Sequence, residues 1–226
     1  MYKNIYYDRL MLMKKATKKE ISIIKERLLE KYSDAVTELN YKNLYELLVS
    51  VMLSAQCTDK RVNIITPALF ESFPDTSTLA NAHEDDVKDL IKSCSFFNAK
   101  SANLIKMAKR VEEVFSGEIP LDEKKLISLA GVGQKTAHVV LIEFTQANLM
   151  AVDTHVFRVA HRLGLSKAKT AVKTEEDLVK VFKDGLHQLH QGMVLYGRYI
   201  CTAQRPKCES ECYLTEFCKS SDNFKP

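Results

Sequence analysis

Residues 129–137 read LAGVGQKTA. They join a short polar–apolar stretch, DEKKLISLA from Asp122, to a second, QKTAHVVLIEF from Gln134. Ala137, Val140, Leu141 and Phe144 share one face of a 3.6-residue period in the second stretch. Gly131-Val132-Gly133 is therefore expected to be a tight turn between two helices. Glycine adopts backbone conformations closed to other residues and lets a backbone approach a ligand closely. The second helix opens with N–H groups that no preceding turn can satisfy, which makes it a natural phosphate site. Phosphate contacts position a protein on a duplex without reading its sequence. The turn thus points to sequence-independent duplex binding, although an ordinary helix–helix corner would show the same glycines.

Lys135 falls in the first turn of that second helix, where an ammonium is electrostatically misplaced beside the partial positive charge of the N-terminus. A neutral amine there is a nucleophile able to form a Schiff base with an aldehyde-like carbon. The bland alternative is a solvated or phosphate-contacting lysine. Eighteen residues on, Asp153 in AVDTHVFRVAHRLG immediately precedes an amphipathic helix. It has N-cap position and N-cap chemistry. The same carboxylate, held by a rigid helix end, could stabilise positive charge on a sugar or assist proton transfer. Capping and catalysis are compatible.

Near the C-terminus, Cys201, Cys208, Cys212 and Cys218 are spaced C-x6-C-x3-C-x5-C. A chain of 226 residues can build a core without disulfide staples, and its N-terminal stretch MYKNIYYDRLMLMKK has no apolar segment of a secretory signal. Met11 and Met13 are alternative starts. Structural zinc sites usually take cysteines in CxxC-like pairs. Four single thiolates around one short loop better suit a [4Fe–4S] cube, each binding one iron. Zinc, or no metal, are the alternatives.

Composition limits the remaining possibilities. Hydrophobic residues make up 46% and charged residues 27%, with 7 Gly and 5 Pro. That describes a soluble globular chain with little strand punctuation and no run long enough to span a membrane. The formal charge of +4 permits a nucleic-acid partner without demanding one. Helical periodicity recurs at Leu44, Leu47, Leu48, Val51, Met52 and Ala55, at Leu104, Ala108, Val111 and Phe115, and at Val156, Phe157, Val159, Ala160 and Leu163, where Gly164 ends the stripe. All of these stripes are expected to be core. Cys57 and Cys94 are expected to be buried thiols. Arg198, Arg205 and Lys207 around the cysteine loop are either a solvated surface or a basic surface for a nucleic-acid backbone. His155 follows Asp153 closely enough to support it, though packing accounts for it as well.

Taken together, LAGVGQKTA, AVDTHVFRVAHRLG, the four cysteines after GRYIC, LSAQCTD (53–59) and NAKSANL (98–104) resemble the endonuclease III family of the helix–hairpin–helix, Gly/Pro…Asp superfamily of DNA glycosylases. The resemblance spans roughly residues 30–220. It implies base-excision repair of double-stranded DNA containing damaged bases or abasic sites. Lys135 would be the catalytic lysine that attacks C1′ of a flipped nucleoside, expels an oxidised pyrimidine and then permits β-elimination 3′ to the abasic site. Asp153 would be the catalytic aspartate. Gly131, Val132 and Gly133 would form the phosphate-holding hairpin, and Gln56 would help fill the gap left by the extruded base. Phe96 and Phe97 fall in the loop supplying an intercalating wedge. A base must leave the stack before such chemistry, and an apolar wedge helps offset the lost stacking.

The expected architecture is all-α and two-domain, with a DNA-binding cleft. A helical barrel over 37–147 would carry the hairpin, and a cluster domain would combine 1–36 with 148–226. The expected form is a cytoplasmic monomer acting on DNA, with no membrane association. Three features depart from the family pattern: Ala130 replaces the usual proline, the wedge loop reads SFFNAK instead of glycine–leucine–tyrosine, and three residues instead of two separate Cys208 from Cys212. A mismatch adenine glycosylase typically lacks the lysine, so Lys135 argues against that reading. The joint presence of Lys135 and Asp153 argues against a non-catalytic iron–sulfur DNA-binding module.

Overall fold

A computed structural model of the protein describes residues 14–220; the N-terminal start and signal readings lie outside them. Among the described residues the regular structure is eleven α-helices and one 3₁₀ turn, without strands. The helices are α1 (Lys18–Lys31), α2 (Leu44–Ser54), α3 (Asp59–Ser72), α4 (Thr76–Ala80), α5 (Glu84–Ile91), α6 (Phe97–Phe115), α7 (Glu123–Ile127), α8 (Gln134–Thr145), α9 (Thr154–Arg162), α10 (Ala171–Phe182) and α11 (Leu186–Tyr199). None is long and apolar enough to cross a membrane. The chain forms two compact units, Thr37–Gln146 and the residues up to Val36 together with those from Ala147.

In the continuous unit, α2 is mostly apolar and Tyr45 through Leu53 are buried, Glu46 and Ser50 among them. A helix of that kind belongs at the centre of a core, and α3, α6 and α8 pack around it. Asn43 starts it by accepting the Glu46 N–H at 2.9 Å. α6 buries Leu104, Met107, Ala108 and Val111 and packs against α4 and α5. Leu44, Phe115 and Phe157 of the stripes are half-buried, and two stripe residues are exposed. Ala55 is exposed just past the end of α2, and Phe144 is 44% exposed in the last turn of α8. In both places the helix is ending, so the buried face has no further turn to cover.

In the discontinuous unit, Thr17 and Glu20 form a capping box at the start of α1. Ile24 and Leu28 of α1 join Val156, Val159, Leu163, Leu178, Phe182, Leu189, Met193 and Tyr196 in one core. Leu214 and Phe217 fold back into the same core, which fixes the far end of the cysteine loop. Gly164 ends α9 with φ +70, and a Cβ there would lie 2.7 Å from the Lys14 carbonyl oxygen. Only glycine fits this turn.

Candidate active site and cysteine loop

The hairpin is built from its apolar ends inward. Asp122 caps α7 by accepting the Lys125 N–H at 2.9 Å. Leu126 and Leu129 are buried, and Val132 closes the turn by donating its N–H to the Leu129 carbonyl at 3.1 Å. The Val132 side chain is 5% exposed, so it anchors the turn and leaves only its backbone toward solvent. Gly131 has φ +77, and a Cβ there would lie 2.9 Å from Asn103 Cβ. Gly131→Ala is expected to cost about 1–3 kcal/mol of unfolding free energy through left-handed strain and this clash, measured by urea unfolding. An unchanged midpoint would contradict the close approach. The turn closes with Ala130 in place of proline.

Gly133 is the N-cap of α8, and no side chain caps that end. A Cβ on Gly133 would meet nothing within 4 Å. The opening of α8 is thus bare backbone on an open surface, and Lys135 is exposed at its second position. No acidic side chain lies in this first turn. Across the hairpin, His138 Nε2 lies 3.0 Å from Glu123 Oε1, joining the two helices on their inner side.

Gln56 and Phe96 share an unusual backbone. Both have left-handed φ, +54 and +59, and both are exposed, Phe96 at 63%. Such backbone costs a bulky residue about 1–3 kcal/mol and clusters at functional sites. Phe97, half-buried, begins α6. A residue that the sequence did not single out connects these turns. Lys100 of α6 donates to the carbonyls of Leu53 and Ala55, each at 2.7 Å. It thereby places a cation at the C-terminus of α2, where the helix dipole favours one. Cys94 is buried and Cys57 half-buried.

In the other unit Asp153 is the N-cap of α9, its Oδ1 accepting the Val156 N–H at 2.7 Å. The same helix carries Arg158 and Arg162, one turn apart. Arg158 donates from Nε to the Cys201 carbonyl at 2.8 Å and from Nη2 to the Gly197 carbonyl at 2.6 Å. It also lies 3.1 Å from His155 Nδ1. Arg162, 9% exposed, donates to the Thr202 carbonyl at 2.7 Å and to Cys201 Sγ at 3.3 Å. The helix that presents Asp153 is therefore bolted to the start of the cysteine loop.

Within the loop, residues 208–211 form a turn. The Lys207 carbonyl accepts the N–H groups of Glu211 and Cys212 at 3.1 and 3.0 Å, and Lys207 pairs with Glu211 at 2.8 Å. The Thr215 hydroxyl lies 3.0 and 3.1 Å from the carbonyls of Cys208 and Cys212. The Tyr196 hydroxyl and Cys212 Sγ are 2.9 Å apart. Burial pushes the Cys218 thiol up to about 11, and Cys201, Cys208 and Cys212 push in the same direction. Burial, then Cys212 and Cys201, also raises Cys208. Among the described residues no set of three or more His, Cys, Asp or Glu side chains is arranged to hold a single metal ion.

A profile of the HhH-GPD superfamily of base excision DNA repair proteins matches residues 49–184. Endonuclease III of Rickettsia felis is 44% identical over 81% of this chain and 86% of its own. Endonuclease III of Haemophilus influenzae is 40% identical over 92% of this chain and 98% of its own. The solved structure of a trapped endonuclease III–DNA covalent intermediate superposes with a TM-score of 0.87 at 35% identity, covering 92% of this chain and 98% of that one.

Proposed function

Because the chain belongs to the HhH-GPD superfamily of base excision DNA repair proteins, and within it to the endonuclease III family, we propose that it removes oxidised pyrimidines from duplex DNA and cuts the strand through Lys135 and Asp153. The observation that carries the reading is the bare N-terminus of α8, with Gly133 open to close approach and Lys135 exposed one residue inside it. Backbone N–H groups there receive a DNA phosphate. Lys135 Nζ bonds to C1′ as the bond from C1′ to the base breaks, the amine giving up its proton and the departing base gaining one. Sugar-ring opening gives the Schiff base, loss of a C2′ proton follows, and the 3′ phosphate departs by β-elimination. Asp153 supplies a carboxylate for the positive charge that develops on the sugar and for proton transfer. Gln56 helps fill the space left when the base is extruded, and Phe96 and Phe97 belong to the loop that supplies the wedge; Gln56 and Phe96 are both exposed on left-handed backbone.

The four cysteines are the ligands we assign to a [4Fe–4S] cluster. Supporting this, Cys208 and Cys218 are each destabilised as anions, first by burial and then by other sulfurs of the set, and an iron core of opposite charge would offset both. A cube binds each thiolate through a different iron, so its sulfurs need not converge on one point. Bound there, the cluster supplies cross-linking of the loop. Arg158 and Arg162 carry that order to the helix capped by Asp153. Purified protein is expected to be brown, with about four irons per chain; a colourless, zinc-loaded preparation contradicts the assignment.

The function is tested with a duplex carrying a single oxidised pyrimidine, following base release and strand cleavage separately. Expected is release of the damaged base with a cut on its 3′ side, and no action on adenine in a mismatch. Adenine release without strand cleavage would favour the mismatch glycosylase instead.

A further inference from the structure

We propose that Cys57 and Cys94 are a reversible disulfide site that clamps the turn carrying Gln56 to the turn carrying Phe96. The two sulfurs lie 3.2 Å apart, and neither belongs to the loop of Cys201 to Cys218. Each cysteine sits in the turn just beyond a helix, Cys57 after α2 and Cys94 after α5. Their N–H groups bond back to Ser54 and Ile91 at 3.1 and 2.8 Å. A disulfide requires about 2.05 Å between sulfurs, so closure needs movement on the order of 1 Å in two turn segments. Lys100, bonded to the Leu53 and Ala55 carbonyls at 2.7 Å, already holds the two segments in register. The sulfurs therefore meet without a search, which gives the second step its proximity advantage.

Exposure divides the roles. Cys57 is half-buried and Cys94 is 3% exposed, so a small oxidant reaches Cys57 first. With a hydroperoxide, the Cys57 thiolate attacks a peroxide oxygen, the O–O bond breaks, and Cys57 becomes a sulfenic acid. Cys94 then attacks the Cys57 sulfur. The S–S bond forms, the S–O bond breaks, and the Cys94 proton leaves with the hydroxide as water. Two thiols lose two electrons and hydrogen peroxide is reduced to two waters. Burial and the shared hydrogen bond with Cys57 push the Cys94 thiol up to about 12, so Cys94 stays protonated and resists direct oxidation; its sulfur, 3.2 Å from that of Cys57, is the one placed to resolve the sulfenic acid, giving its proton to the departing hydroxide in the same step. Thiol reductants reverse the bond by exchange.

The consequence of the clamp rests on the functional reading above, in which Gln56 and Phe96 enter the DNA. Fixing both turns is expected to weaken binding to a damaged duplex by several-fold. To test this, reduced holoenzyme is treated with hydrogen peroxide, alkylated and digested with trypsin without reductant. Expected is the peptide 43–60 joined to 93–100, lost on adding dithiothreitol and absent in Cys57→Ser. Recovery of both peptides unjoined overturns the proposal. Affinity for the damaged duplex, measured before and after peroxide, is expected to fall in the wild type and not in Cys57→Ser. A cross-link with unchanged affinity overturns the assignment of these two turns to DNA and leaves the disulfide standing.

Discussion

Lys135→Ala is expected to lower both base release and strand cleavage by roughly 10³-fold or more, the scale on which loss of a covalent nucleophile falls. Stability should be unchanged, because Lys135 is exposed and α8 is anchored by Ala137, His138, Val140, Leu141 and Ile142 on its buried side. Removing an ammonium from the positive end of a helix is, if anything, mildly stabilising. Single-turnover kinetics on a damaged duplex, with thermal unfolding in parallel, read the two quantities separately. Loss of activity together with loss of fold would refute the role assigned here. Duplex affinity should persist in the variant, since the hairpin backbone is intact.

Asp153 allows a sharper separation, because one side chain caps a helix and is assigned a catalytic charge. Asparagine caps about as well as aspartate, whereas alanine loses about 1 kcal/mol. Asp153→Asn should keep the bond to the Val156 N–H, now 2.7 Å, and so keep its unfolding midpoint. Its turnover should still fall by about 10²-fold or more, the size of a lost acid–base or charge-stabilising group. Asp153→Ala should show the same catalytic loss plus the capping loss. If Asp153→Asn retains full activity, the aspartate is a cap and nothing more.

What the sequence revealed was mostly local. The Gly131–Gly133 turn, the first-turn lysine and the capping aspartate each depend on neighbours within a few residues, and glycine and N-cap chemistry are written at that range. The core stripes were legible for the same reason, except at Ala55 and Phe144, where a helix end cuts the pattern short. The supports were not legible. Lys100 reaches carbonyls 47 and 45 positions away, and Arg158 and Arg162 fasten a cysteine 43 and 39 positions away. No periodicity carries such pairings. Their one trace in sequence is the spacing of Arg158 and Arg162, which share a helix face. The left-handed backbone at Phe96 was hidden too, since a phenylalanine there goes against local preference and is held by its surroundings. The three-residue spacing before Cys212 is legible in sequence, whereas the turn that closes it around the Lys207 carbonyl is not.

The central claim is that Lys135 attacks the sugar and becomes covalently joined to it. Incubating the protein with a duplex containing one abasic site, in the presence of borohydride, reduces any Schiff base to a stable amine. A covalent protein–DNA adduct should form, its peptide should map to Lys135, and Lys135→Ala should give none. Strand cleavage without a trapped adduct, or an adduct that persists in Lys135→Ala, would contradict the account.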